Sequence, residues 1–428
     1  MAIIKRSLFI ICVIALINCG VAFSQESGEQ YTLARCYELA LKQSETIAID
    51  VEHFNVAQAH FIQALGTILP HVSFSYTDIR QDPSASNSAY PRSSFESSFT
   101  FKQTLFTGFK EFIAMSGSKL EESQRLKEKA RAEQLLLVDV ADAFYLLMEQ
   151  KEDLNILEIV RQALKNRIRE LRQREKLGRS MKSEVVNAEA QMYSVEAEMY
   201  SVKAQEKVAQ DLLEFLTGKP IPAIQDTMRN PVSVEEEAHY TAKVKQRPDV
   251  IAADYAWGVA KKIAGIAKSG LVPSVSVTGD YYPSGNIRPK DSEWDAMLQV
   301  GVPIFEGTET YGAIKEANAN ARAAGLLLRQ TERSAVQDIR DSCANLSYAI
   351  SKRDKQRKAF ASARMNYKLQ NKDYKYSLVS NLDVLQAIQT AQNSARIYAQ
   401  TVYEAKRYYW ELLAATGDAT KEKLNESF

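Results

Sequence analysis

Helix breakers are scarce in this chain. Among 428 residues there are 17 glycines and 11 prolines, and they cluster. Between the clusters run long stretches with almost none, which leaves those stretches free to be helix. Cysteine is scarcer still. Of the four, Cys12 and Cys19 fall in an N-terminal apolar run, and Cys36 and Cys343 alone make no disulfide framework. Both lie in helix-like segments and read as small apolar residues. The four histidines, His53, His60, His71 and His239, lack metal-ligand spacing. No glycine loop for phosphate and no nucleophile in a recognisable catalytic context appears, so the sequence supports neither an enzyme nor a cofactor or metal site. A net charge of +1 argues against a general nucleic-acid binder. Past the N-terminal run, no apolar segment approaches the ~18–20 residues of a spanning helix.

What is present starts with an address. Lys5 and Arg6 precede SLFIICVIALINCGVAF, and Ala22 and Ser24 satisfy a small-x-small cleavage rule. This is a secretory signal peptide over residues 1–24, cut after Ser24. The run Leu16-Ile17-Asn18-Cys19-Gly20 supplies a competing lipoprotein reading with Cys19 acylated, against which stands the bulky Asn18. Either reading exports the chain.

The breakers then act as punctuation. A helical stretch from Thr32 to Ala64 stops at Pro70. His71 to Tyr76 alternate, with Val72, Phe74 and Tyr76 opposite Ser73 and Ser75. After a polar loop, QDPSASNSAYPRSS, Phe95, Phe99 and Phe101 alternate with Glu96, Ser98, Thr100 and Lys102. A long helix follows to about Arg174, a turn at Gly178, and another helix to Gly218. The order then repeats: helix to Pro273, strand with Val275, Val277 and Tyr281, loop PSGNIRPKDSE, strand with Ala296, Leu298, Val300 and Val302, long helix, turn near Ser377, and a last helix to Gly417. Phe106 and Phe305, Gly108 and Gly307, Val185 and Val384, and Gly218 and Gly417 all keep an offset of 199. Duplication is the economical explanation. The expected division is a first repeat over 25–218, a Pro- and acid-rich linker over 219–240, a second repeat over 241–417 and a tail over 418–428.

The long helices exceed any globular core, and Val336, Ile339, Cys343, Leu346 and Ile350 step with coiled-coil spacing, as do Val140, Phe144 and Leu147. The four strands are each about ten residues long, which spans a bilayer core when tilted. One face of each is apolar and the other polar, with long polar loops at one end and helices at the other. Lipid tolerates no open sheet edge, and the smallest closed barrels have about eight strands. Copies of the chain must therefore complete a barrel together.

This layout resembles the TolC-like outer-membrane efflux proteins. TLARCYELALKQSETI resembles their opening helix, AHFIQALGTILPHVSFSY the junction into the first strand, VPIFEG the end of the second strand pair, and DYKYSLVSNLDVLQA the turn into the last helix. The resemblance covers residues 31 to 417. It implies a mixed membrane fold: a trimeric, 12-stranded transmembrane β-barrel with four strands per chain, continuous with a long periplasmic α-helical barrel closed at its tip. It also implies a passive outer-membrane duct, working with a periplasmic adaptor and a proton- or ATP-driven inner-membrane pump, and needing no cofactor. The exit of a protein secretion system and a non-conducting coiled-coil spacer remain alternatives.

By the same resemblance Tyr374, Asp383, Gln386 and Glu184 are periplasmic gate candidates. Gln386 stands where the family carries a second acid, and Val379 where it carries arginine. Ser380-Asn381-Leu382-Asp383 also reads as a capping box and Tyr374 as interhelical packing. Around the first turn Lys165, Arg167, Arg169, Arg172, Arg174, Lys176, Arg179 and Lys182 are offset only by Glu170, Glu175 and Glu184. That run is either a solvated helix face or an electrostatic docking surface. Arg174, Lys176, Gly178, Arg179, Ser377 and Leu378 are the adaptor-docking candidates. Tyr76, Tyr282 and Trp294 are candidates for an aromatic girdle at the membrane surface.

Overall fold

The computed structural model describes residues 31–80, 93–285 and 293–426. The signal peptide, Cys19 and most of both strand-to-strand loops lie outside the described residues. The first helical stretch is two helices, α1 (Leu33–Gln43) and α2 (Glu45–Gly66). Ser44 divides them: its backbone is extended, and its hydroxyl accepts from the Ile47 N–H at 3.4 Å to start α2. Strands β1 (His71–Arg80) and β2 (Ser93–Thr107) follow, then α3 (Lys110–Lys176) and α4 (Lys182–Thr217). A short helix α5 (Glu237–Thr241) precedes α6 (Pro248–Ser269), strands β3 (Ser274–Gly285) and β4 (Trp294–Gly301), α7 (Glu309–Lys375), α8 (Asn381–Thr416) and a terminal α9 (Lys421–Glu426). Helices α3 and α7 each have 67 residues, about 100 Å at 1.5 Å per residue, and α4 and α8 each have 36.

The four strands form one antiparallel sheet in the order β1-β2-β3-β4. β2 pairs with β3, so the sheet joins the two halves of the chain. Pro283 to Gly285, expected in a loop, extend β3, and Ser93 and Ser94 open β2. β1 and β4 are the edges, and neither has a partner on its outer side among the described residues.

Away from the sheet the helices pack side by side. α3 lies between α4 and α8 towards the turns and between α2 and α6 towards the sheet, with α7 beyond α8 and α6. The seams read from spacing are where the contacts are. Val140, Phe144 and Leu147 are fully buried in one apolar cluster, with Cys36 and Leu137, while Ile339, Cys343, Leu346 and Ile350 are buried in another. Burial pushes the Cys36 thiol up to about 12, which keeps it protonated and inert. α9 closes the chain against α1, where Leu424 is buried and Lys421 meets Glu38 at 2.7 Å.

The segment between the halves is held tightly. Tyr31 bridges Ile224, and the buried Lys406 ammonium donates to the Met228 carbonyl at 2.7 Å and pairs with Asp226. Arg353 donates to the Pro231 carbonyl at 2.5 Å. These two cations strap the linker to α8 and α7.

Candidate functional site

The far ends of the α3–α4 and α7–α8 hairpins form a tip of two turns with the same hydrogen-bond pattern. At the first, Leu177 and Arg179 N–H groups donate to the Arg174 carbonyl and Gly178 to Glu175. At the second, Tyr376 and Leu378 donate to Asp373 and Ser377 to Tyr374. Both are six-to-one closures that need a left-handed residue. Gly178 supplies it at φ 69°, and Ser377 occupies the same place at φ 60°. Its side chain makes that conformation costly, whereas Gly178 has no Cβ to clash.

The following helices are capped by acids. Asp383 accepts from the Ser380 N–H at 2.8 Å while its own N–H donates to the Ser380 hydroxyl, a full capping box. The Ser380 hydroxyl and N–H hold the Asp383 carboxyl below the usual carboxylate range. Glu184 does half of this at the first turn. It accepts from the Met181 N–H at 3.3 Å and from Ser180, but Met181 has no oxygen to return the bond. Asp383 and Gln386 are exposed one turn apart on α8, and Val379 is half-buried against the apolar cluster of the tip.

Tyr374 is not at the surface. Its side chain is 5% exposed, with the Arg167 guanidinium 3.6 Å from the ring centroid and Arg174 4.5 Å away. Arg167, read from sequence as part of a basic run forming either a solvated face or a docking surface, is 4% exposed. Its Nε donates to Asn381 Oδ1 at 2.9 Å and its Nη1 to Glu170 at 3.1 Å, while Asn381 reaches the Glu184 carbonyl at 3.4 Å. One buried cation thus ties α3 to the end of α7, the start of α8 and the start of α4. Arg174 is half-buried and pairs with Glu170 at 3.6 Å. Lys176, Gly178, Arg179, Ser377 and Leu378 are exposed on the tip.

Sequence reasoning also passed over charges wholly or partly buried between the helices. Arg396 pairs with Asp153 at 2.5 Å and with Glu198. Arg247, 2% exposed, is held by Asp249 at 2.6 Å, Asp338 at 3.1 Å and the Ala415 carbonyl at 3.0 Å. Asp142, Glu149 and Glu411 gather round Arg407 with their carboxyls raised above the usual range, each chiefly by burial. Spacing cannot reveal the partners that come from different helices, such as Asp153 for Arg396, Asp338 for Arg247, and Asp142 and Glu149 for Arg407.

In the sheet, β-register sorts the aromatics. Phe74 pairs with Phe99, Phe99 with Tyr281, and Tyr281 with Trp294, so these four cross the sheet on one face. Tyr76, Leu298 and Val300 share that face and are exposed. The opposite face carries Ser75 bonded to Ser98, Thr100 bonded to Asp280, and Tyr282. The Tyr282 hydroxyl donates to Asp295 Oδ2 at 3.0 Å. Tyr282 therefore leaves the girdle candidates, and Tyr281 takes its place beside Trp294. Tyr76 and Trp294 stay on the apolar face.

An unpartnered stripe completes the picture. On α4, Val186, Ala190, Tyr193, Ala197, Tyr200, Ala204 and Val208 are all exposed and step by four, three, four, three, four and four. That is the spacing of a coiled-coil seam, here with nothing against it among the described residues.

Residues 241–418 match the sequence model of the family described as "Outer membrane efflux protein". The outer membrane protein TolC of Vibrio cholerae is 21% identical over 324 residues, covering 73% of this chain and 74% of that one. Among solved structures, the outer membrane protein VceC of Vibrio cholerae superposes with a TM-score of 0.78 at 20% identity, over 90% of this chain and 96% of the other. The outer membrane channel MtrE of Neisseria gonorrhoeae, solved in an open state, gives 0.78 at 18% identity, over 90% and 89%.

Proposed function

Since the chain belongs to the TolC-like outer-membrane efflux proteins, with its sheet in the outer membrane and its helices in the periplasm, we propose that three copies make one passive exit duct of a tripartite pump. The observation that carries this reading is the open sheet. Four strands with two bare edges leave rows of N–H and C=O groups that hydrocarbon cannot satisfy. Pairing β4 of one copy with β1 of the next removes the edges, and three copies give a ring of twelve. The apolar face with Phe74, Tyr76, Trp294 and Leu298 then meets lipid, and the face with Ser75, Thr100, Asp280 and Asp295 meets water.

The helices support the same ring. Within one chain α8 packs on α3 through Tyr403 on Tyr145 (ring centroids 6.4 Å apart) and Arg407 near Glu149 at 3.6 Å. The residues offset by 199 are Ala204 and Val208 on α4, and Ala344 and Tyr348 on α7. All four are exposed, Val208 at 68% and Tyr348 at 74%. The stripe on α4 and the face of α7 are therefore complementary surfaces of neighbouring copies, apolar where the internal seam is charged. Tandem duplication of 25–218 and 241–417 about the 219–240 linker accounts for that correspondence.

At the tip, the Arg167–Tyr374–Asn381 contact holds the two hairpins of a copy together. Asp383, Gln386 and Glu184 set the charge around the opening. The exposed turn residues Lys176, Gly178, Arg179, Ser377 and Leu378, with Arg174 behind them, face the periplasmic adaptor. The sequence has no phosphate-cradling loop, so energy comes from the inner-membrane pump and the duct supplies path and gate. The test is the mass of the detergent-solubilised particle together with planar-bilayer conductance. A particle of three copies that conducts is expected. A monomer, or a trimer that never conducts, overturns the duct.

A further inference from the structure

Ala391, Ala395 and Ala399 step by four along α8, where the positions 199 earlier on α4 carry Met192, Glu196 and Tyr200. The three alanines floor a recess of about 550 Å³ that lies over α8 between α3 and α7. On the α7 wall Phe360 stands where α3 has Arg161. Its ring stacks on Tyr398, with centroids 6.0 Å apart and planes 16° from parallel. Ile156 of α3 and Ile388 of α8 are buried along the lining, so most of it is apolar. Asn230 lies at the end away from the tip, next to Pro231, whose carbonyl Arg353 holds at 2.5 Å. Each wall then brings one charge, Glu152 on α3 and Arg364 on α7. Neither has an ion pair among the described residues. Glu152 accepts there only from the Asn155 amide, at 3.4 Å, and the Arg364 guanidinium makes no hydrogen bond. The whole lining comes from one chain, and none of it belongs to the α4 stripe or to Ala344 and Tyr348 of α7.

We infer that this recess binds a planar aromatic zwitterion. Its ring lies over the alanine floor against Phe360 and Tyr398, its carboxylate meets Arg364 and its ammonium meets Glu152. A largely apolar recess with a few convergent polar groups is the usual form of a small-molecule site. The alanine floor beside a flat wall takes a slab, to which aromatic rings add attraction in offset or edge contact. Charge-assisted hydrogen bonds at both walls fix the direction of the slab. A molecule with a single charge would leave the opposite ion desolvated and without a partner, so the site discriminates against it. Asn230 and the anchored linker close the groove above, which suits a compact molecule rather than a helix laid along it. The walls belong to different hairpins, so the occupant also ties α3 to α7.

The probe is a naphthalene with a carboxylate on one ring and an aminomethyl group on the other. It is titrated calorimetrically against the purified full-length chain in non-ionic detergent, beside one analogue without the amine and one without the carboxylate. The zwitterion is expected to bind at least tenfold tighter than either analogue and to raise the thermal midpoint. Arg364 is exposed and Glu152 half-buried, so Arg364→Gln and Glu152→Gln leave the packing in place. Each should weaken the zwitterion at least tenfold. The analogues separate the two walls: Arg364→Gln should weaken only the acid, and Glu152→Gln only the amine. Ala391→Met places on α8 the residue that α4 carries at Met192, and it should abolish binding of all three compounds while the unliganded thermal midpoint holds. No binding of the zwitterion, equal binding of zwitterion and analogues, or affinity unchanged by both glutamine variants overturns the inference. The recess is complete within one chain, so these results stand whether or not three copies form the duct.

Discussion

Replacing Arg167 by methionine tests whether the tip is held shut from within each copy. Methionine keeps the apolar stem and removes the guanidinium. Lost with it are the bond to Asn381 at 2.9 Å, the bond to Glu170 at 3.1 Å and the stack on Tyr374 at 3.6 Å. A hydrogen bond from a charged donor contributes about 1.5–3 kcal/mol. A desolvated cation–π contact contributes about 2 kcal/mol. Against this stands relief from burying a guanidinium whose Nη2 has no partner among the described residues, about 1–2 kcal/mol. Glu170 keeps Arg174, so its loss is small. The net loosening is roughly 2–3 kcal/mol, which at 1.4 kcal/mol per decade shifts a closed-to-open equilibrium roughly 30- to 150-fold. Single-channel recording in planar bilayers reads the shift as open probability, beside Arg167→Lys, which keeps the charge but not the planar stack and fork. Both variants should open more often than wild type, the methionine variant further. Unchanged open probability with unchanged helical content would refute the reasoning, because the contact would then belong to packing alone.

Other expectations follow from single positions. Ser377→Gly should stabilise the protein by about 0.5–1 kcal/mol per copy, because it removes a left-handed serine at φ 60° and gives back part of that in unfolded-chain entropy; Gly178→Ala should move the thermal midpoint the other way. Glu411→Gln should raise the thermal midpoint at neutral pH. Burial holds this carboxyl above its unfolded pKa of about 4.3, so its charge destabilises the fold above the raised value and the penalty disappears as pH falls through it. The advantage of the variant should therefore shrink in acid, and an advantage independent of pH would contradict the cause. With α7 of one copy on the α4 stripe of the next, as proposed, Tyr348→Glu would place a charge opposite Val208. The detergent particle should shift from trimer to monomer, as read by native mass, while the helical signal stays.

Much of the architecture could be read from residue order. Alternation in Val72, Phe74 and Tyr76 and in Phe95, Phe99 and Phe101 marks strands, and the stretch between Gly108 and Gly178, with no proline and Gly117 its one glycine, marks a single 67-residue helix. Ser44 escaped because one serine with an extended backbone divides two helices without any change in composition. Tyr282 was misplaced by weighing its aromatic character over its parity. It is one residue from Tyr281 and so must face the other way. Arg167 escaped for a deeper reason. Along α3 it is one cation among eight in the run, and only the approach of Tyr374 and Asn381, over 200 residues later, distinguishes it from Arg169. The cations at Arg396 and Lys406 are hidden likewise, since each finds its acid on another segment, and Arg247 reaches Asp338 and the Ala415 carbonyl besides its near neighbour Asp249. Capping at Asp383 was legible because its partner Ser380 is three residues away.

The bare margins of the sheet bear on how the wall is made in the cell. On the proposed three-copy duct, a lone copy has no stable place in the bilayer, so entry and assembly would be one event whose rate rises steeply with the supply of chains. A subunit whose β1 can pair but whose β4 cannot would be admitted to a growing ring and prevent its closure. Co-expressed at equal dose with normal chains, such a subunit leaves about one ring in eight free of it, so a defect confined to one strand acts on its neighbours as well.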